Sequence, residues 1–189
     1  MKLRSVRTLF LQRLDDIGAA AMTLPDAKTW WRCLIVFAAF VACALPIGFA
    51  SGFFQPEVAP LPTARLALLP LYLFLRPALV EELIFRAALL PRDPKRVRMP
   101  QLIVVSALAL TVFVASHPLH GLLTRPAALP LFLNPVFLSC ATLLGIACTV
   151  SYLVSRSLWP PVLLHWLSVL IWITLLGGNG AIGAARPPL

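Results

Sequence analysis

The chain has 189 residues, 60% of them hydrophobic, and a mean hydropathy of +0.89, which is too apolar for a soluble domain, where usage runs near about 45 to 50%. Charged residues make up only 12% of the sequence and sit between long apolar runs, the pattern of a polytopic membrane protein whose loops alone meet water. A formal net charge of +9 points to nucleic acid in a soluble protein, but in a membrane chain it serves anchoring and orientation, so the lipid bilayer is the expected partner and nucleic acid is not.

Residues 1–29 form a basic amphipathic segment. Leu3, Val6, Phe10, Leu14 and Ile17 recur at helical spacing with Lys2, Arg4, Arg7 and Arg13 interleaved, as in a helix lying on the membrane face, with an unstructured basic tail as the alternative. The first thirty residues hold no uninterrupted apolar core followed by a small-residue cleavage site, so no cleaved signal is expected. Cys33, Cys43, Cys140 and Cys148 show no paired spacing and read as small core residues.

Five membrane spans follow over residues 30–177. The first runs from Trp30 to Phe54: Cys33 to Phe54 is 22 residues without a charge, and Trp30 and Trp31 suit an interfacial anchor. The second, Ala64 to Leu90, carries Arg76, Glu81, Glu82 and Arg86 inside a membrane-length stretch, an unfavourable placement that marks function by default. Spans three to five run from Met99 to Leu119, Leu131 to Val154 and Leu158 to Gly177, and residues 178–189 read as a flexible tail. The chain is therefore expected to be an all-α, polytopic helical bundle with an N-terminal interfacial helix. Lys and Arg number eleven on the side of the N-terminus and three on the other, with Arg76 and Arg86 counted as intramembrane. The N-terminus is then expected in the cytosol and the C-terminus opposite, with the bacterial inner membrane as the expected location.

The chemistry-bearing residues are Glu81, Glu82 and Arg86 on the second span, His117 on the third and His165 on the fifth. On a helix Glu82 and Arg86 can pair four apart, while Glu81 points about 100° away and stays free of that bridge. Burial without a partner disfavours a carboxylate's charged form and suits it to accepting a proton as a general base. If His117 converges on Glu81, the two can activate a water against a peptide carbonyl, with His165 donating to the developing oxyanion. A buried ion cluster and interhelical hydrogen bonds are the purely structural readings. Glu plus two His is also a zinc-like set, but HExxH is lacking, so no cofactor is expected and a divalent metal such as zinc is the alternative.

In order and spacing, EELIFR (Glu81, Glu82, Arg86), FVASH (Phe113, His117) and HWLSV (His165) resemble the EExxxR, FxxxH and HxxxN motifs of the CPBP (CAAX protease and bacteriocin-processing) family of glutamic-type intramembrane proteases, which includes the Rce1-type CAAX prenyl proteases. The resemblance covers about residues 64–175. It implies an endopeptidase acting on a membrane-associated peptide or protein, with Glu81 and His117 activating water, Glu82 and Arg86 supporting them and His165 stabilising the oxyanion. Val169 stands where the family has asparagine. Valine donates no hydrogen bond, and losing one oxyanion donor costs about 10² to 10³ in rate. Ser168, Ser116 and Asn134 are the candidate substitutes. A non-catalytic binding or immunity factor on the same scaffold is the alternative function, and a proton-coupled transporter is a third.

Three further expectations concern geometry. His165 lies near the start of its span and His117 far along its own, a difference of roughly 15 Å in depth for upright helices, so breaks at Pro77 and Pro118 are expected to close it. Arg76 reads as bridging the break at Pro77, with contact to a substrate's carboxylate as the alternative. Phe85 and Phe113 read as packing residues and His120 as a loop residue.

Overall fold

The computed structural model describes residues 6–183; Lys2, Leu3, Arg4 and everything from 184 onward lie outside the described residues. Among the described residues the regular structure is helical, apart from one isolated bridge between Glu57 and Leu176.

Helix α1 (Val6–Met22) is the expected N-terminal helix, and it is docked on the bundle. Ala20 is fully buried with Ile17 packed beside it, while Leu14 on the same stripe faces outward. Arg13 Nη1 donates to the Leu90 carbonyl at 2.9 Å, and the Ala20, Ala21 and Thr23 carbonyls accept from Leu158 N–H, Trp159 Nε1 and Ser157 Oγ. The end of α1 thus lies over residues 157–159.

Asp26 then starts α2 (Ala27–Ala50) by accepting from Thr29 N–H at 2.8 Å, and hydrogen bonding by the Thr29 side chain and then its backbone lowers the Asp26 pKa. The helix closes four residues before the expected Phe54, because Gly52 takes φ +70° and the chain folds Phe54 back onto Gly48. Residues 55–59 run across the far end of the last long helix: Gln55, Glu57 and Ala59 N–H donate to the Leu176, Leu175 and Thr174 carbonyls. Carbonyls that a helix end leaves without partners are satisfied in this way.

The second expected span is broken. Helix α3 (Thr63–Leu73) passes into a π-helical turn, Phe74–Leu79, inside which Arg76 is extended (φ −148°, ψ 115°). The chain resumes as the limb 77–88, made of a short α-turn, α4 (Val80–Glu82), and a second π-helical turn, Leu83–Ala88. Proline 77 disfavours the helical region for the residue before it, which accounts for the break at Arg76. Proline 118 breaks nothing: α5 (Met99–Thr124) runs through it, five residues beyond the expected Leu119, and His120 is helical rather than in a loop.

The fourth expected span is divided too. A short turn, α6 (Leu129–Phe132), precedes α7 (Pro135–Ser155), whose first amide groups, at Val136 and Phe137, donate to the Asn134 side chain. Helix α7 is the centre of the bundle, because Gly145, Ala147, Cys148 and Ser151 are small enough to admit neighbours closely. Leu144, Ala147 and Cys148 pack with Leu164 against Val36, Phe37 and Phe40 of α2. Helix α8 (Trp159–Leu175) ends the core. A final turn, α9 (Gly178–Gly183), stands where a flexible tail was expected, held by Gly178 packing under Trp172.

Helices α2, α5 and α7 are long and apolar enough to cross a membrane, and α8 is a shorter apolar helix. Together with the broken limb pair they make up the five expected segments. Because a Cβ on Gly48 would overlap the Phe54 ring, Gly48→Ala is expected to destabilise the protein by about 1–3 kcal/mol. Thermal unfolding in detergent measures this, and an unchanged midpoint contradicts the packing described.

Candidate active site

The site forms where the limb 77–88, α5, α7 and α8 meet. Arg86 is 1% exposed and Glu82 0%, and they are joined at 3.1 Å from Nη1 to Oε1, one turn apart as the sequence requires. Arg86 Nη2 donates to the Gly145 carbonyl of α7 at 3.0 Å, and the guanidinium carbon lies 4.5 Å from the centre of the Phe113 ring of α5. One buried cation therefore contacts three elements, through a carboxylate, a peptide oxygen and an aromatic face.

Glu82 passes the constraint on. The same Oε1 lies 2.8 Å from His165 Nδ1. A carboxylate can only accept, so an ionised Glu82 fixes the proton on Nδ1 and turns Nε2 the other way. Nε2 then lies 3.9 Å from Glu81 Oε2, too far for a direct hydrogen bond. Glu81 Oε2 is buried and has no hydrogen-bond partner among the described residues, although the side chain as a whole is 27% exposed. Glu81 is thus free of the Arg86 bridge and open on one side. One water can bridge a separation of this size, donating to Glu81 Oε2 and meeting His165 Nε2.

His117 stands across Phe113 from His165, its ring centre 5.1 Å from that of Phe113, which in turn lies 6.1 Å from His165. Its Nδ1 meets the Phe113 carbonyl at 3.0 Å, and Nε2 makes no hydrogen bond among the described residues. Both histidines thus lie against one ring, so the depth difference expected of upright helices does not keep them apart. A break at Pro118 is not the reason. The start of α8 is covered by α1: Ser157, Leu158, Pro160 and Pro161 are all buried.

Phe113 packs edge-on against Phe85 at 5.3 Å, as expected of packing residues, but it also carries the Arg86 guanidinium and touches both histidines. Three contributors had no signal in the sequence. The Gly145 carbonyl acts through its backbone, and Phe132 and Phe137, 6.1 and 5.3 Å from the His117 ring, form a wall assembled only by the fold. The candidate substitutes for the missing asparagine are engaged elsewhere. Ser168 and Ser116 donate to the Leu164 and Phe113 carbonyls, and the Asn134 side-chain oxygen caps α7. Val169 is half-buried on α8 one turn beyond His165. Among the described residues no three His, Cys, Asp or Glu converge as a metal-ligand group.

A family model described as type II CAAX prenyl endopeptidase Rce1-like matches residues 63–171, more than half of the chain. The chain belongs to this family. The matched stretch holds all five clustered polar residues, from Glu81 to His165, and leaves out α1 and α2. No curated protein and no solved structure matches the chain significantly. With three helices of spanning length, this Rce1-like protein is an integral membrane protein of a protease family.

Removing one partner of a buried ion pair leaves the other charge uncompensated. Arg86→Met is therefore expected to destabilise the Rce1-like fold by about 3–5 kcal/mol, whereas Glu81→Gln, which breaks no hydrogen bond, is expected to stay within about 0.5 kcal/mol. Thermal unfolding of the two variants beside the wild type checks this order.

Proposed function

We propose that the protein is an intramembrane endopeptidase that hydrolyses a peptide bond near the end of a membrane-associated substrate, with Glu81, Glu82, Arg86, His117 and His165 as its site. The observation that carries this reading is the unpartnered, buried Glu81 Oε2 facing His165 Nε2 at 3.9 Å. The family description adds the substrate class, chains ending in a C-a-a-X box.

In this mechanism a water lies against Glu81, steadied by His117 Nε2. Glu81 takes one proton from it as the oxygen attacks the scissile carbonyl carbon. Doubly protonated, His165 holds Glu82 through Nδ1 and offers Nε2–H to the tetrahedral oxyanion. Collapse of the intermediate breaks the C–N bond, and the leaving amine takes the proton that Glu81 received. Arg86 touches no reacting atom; it positions Glu82, and Glu82 positions His165. The proposed mechanism uses no metal or other cofactor.

Valine at 169 favours a slow enzyme, since a donor on that turn of α8 would stand beside the oxyanion. It also favours the alternative of a non-catalytic binding or immunity factor on the same scaffold. In proteoliposomes with a peptide library, Glu81→Ala is expected to abolish cleavage and Val169→Asn to raise it, by up to about 10² to 10³. Activity surviving in folded Glu81→Ala, or no cleavage by any form of the protein, contradicts the protease reading and leaves the binding factor.

A further inference from the structure

Among the described residues, Arg76, at the break in the second segment, has no hydrogen-bond, ion-pair or ring partner. It does not bridge the break in its helix: its side chain is exposed and contacts none of the described polar groups or rings. Arg86, on the following limb, is by contrast fully enclosed with three partners. Thirteen residues beyond the start of α3, Arg76 lies about 20 Å along a segment that enters a hydrocarbon layer about 30 Å thick. An arginine there is stabilised by an anion, by a water-filled cavity or by snorkelling towards the interface, and an anion satisfies both its charge and its donors.

The break also sets where that charge stands. Glu81 lies five residues on across the break, at most about 9 Å along the chain with Arg76 extended and the rest helical, and an extended peptide covers the same span in about three residues. The acids nearest in the chain do not compete: Glu82 is bound to Arg86 and His165, and Glu81 Oε2 faces His165. A substrate cut close to its own end brings one anion to this distance, namely its terminal carboxylate. A guanidinium meets a carboxylate with two parallel hydrogen bonds.

We propose that Arg76 binds the C-terminal carboxylate of the substrate and so measures the distance from the chain end to the bond that is cut. This rests on the endopeptidase reading above, and it makes Arg76 a specificity-determining residue for free chain ends.

The test uses the full chain in nanodiscs and two S-farnesylated C-a-a-X peptides that differ only in ending as carboxylate or amide. Binding is measured on Glu81→Gln, so the result does not depend on cleavage. The carboxylate peptide is expected to bind about tenfold or more tightly than the amide. The preference should fall to near one when Arg76→Gln is added and be partly kept with Arg76→Lys. In the otherwise wild-type enzyme, Arg76→Gln is expected to raise KM for the carboxylate peptide about tenfold. Equal binding of the two peptides, binding of neither, or a preference that survives Arg76→Gln overturns the proposal. A preference lost in Arg76→Gln together with no cleavage by the wild type keeps the carboxylate site and refutes the protease reading instead.

Discussion

The buried contact between Arg86 and Glu82 is the constraint on which the rest of the site depends. On insertion scales an ionised arginine at the centre of a bilayer is disfavoured by about 2.5–3.5 kcal/mol, so the residue is tolerated only where its charge and its donors are satisfied together. Glu82 answers the charge, the Gly145 carbonyl takes a second donor, and the Phe113 ring covers the guanidinium face. Each partner comes from a different part of the bundle, and the pair therefore fixes the limb 77–88 against α5 and α7. It also spends Glu82 on structure and orients His165, while the adjacent Glu81 is left open.

Two departures from straight, membrane-normal helices bring the remaining parts to the same place. The break at Arg76 divides the second segment, so that the limb 77–88 takes its own course into the site. The start of α8 lies beneath α1, where the Ala20, Ala21 and Thr23 carbonyls receive donors from residues 157–159. Helix α1 is outside the stretch that carries the family motifs, yet it covers the start of the helix that carries His165. The small residues of α7 matter for the same reason, since a Cβ at Gly145 would come within 2.5 Å of Leu110 and 3.1 Å of Phe113.

Much of this was legible in the sequence, because membrane burial makes each charge conspicuous. Glu82 and Arg86 pair as their four-residue spacing requires, Glu81 stays off that bridge, and the apolar runs give the long helices. What was not legible has physical causes. Both Pro77 and Pro118 read as breaks, but only Pro77 makes one; a proline inside a helix can be absorbed by its surroundings, and local sequence does not report those surroundings. The backbone carbonyl of Gly145 leaves no mark in a side-chain pattern. The approach of His117 and His165 to one phenylalanine ring is a tertiary fact.

The central claim is that Arg86, acting through Glu82, holds the His165 ring with Nδ1 protonated and Nε2 turned toward Glu81. The chain has only His117, His120 and His165, so the ring nitrogens can be assigned by single substitutions in ¹⁵N-histidine-labelled protein. The measurement is the NMR spectrum of those nitrogens in the wild type and in folded Arg86→Met. A slowly exchanging Nδ1–H at His165 in the wild type that is lost or strongly shifted in Arg86→Met is the predicted result. An unchanged His165 signal in the variant contradicts the account.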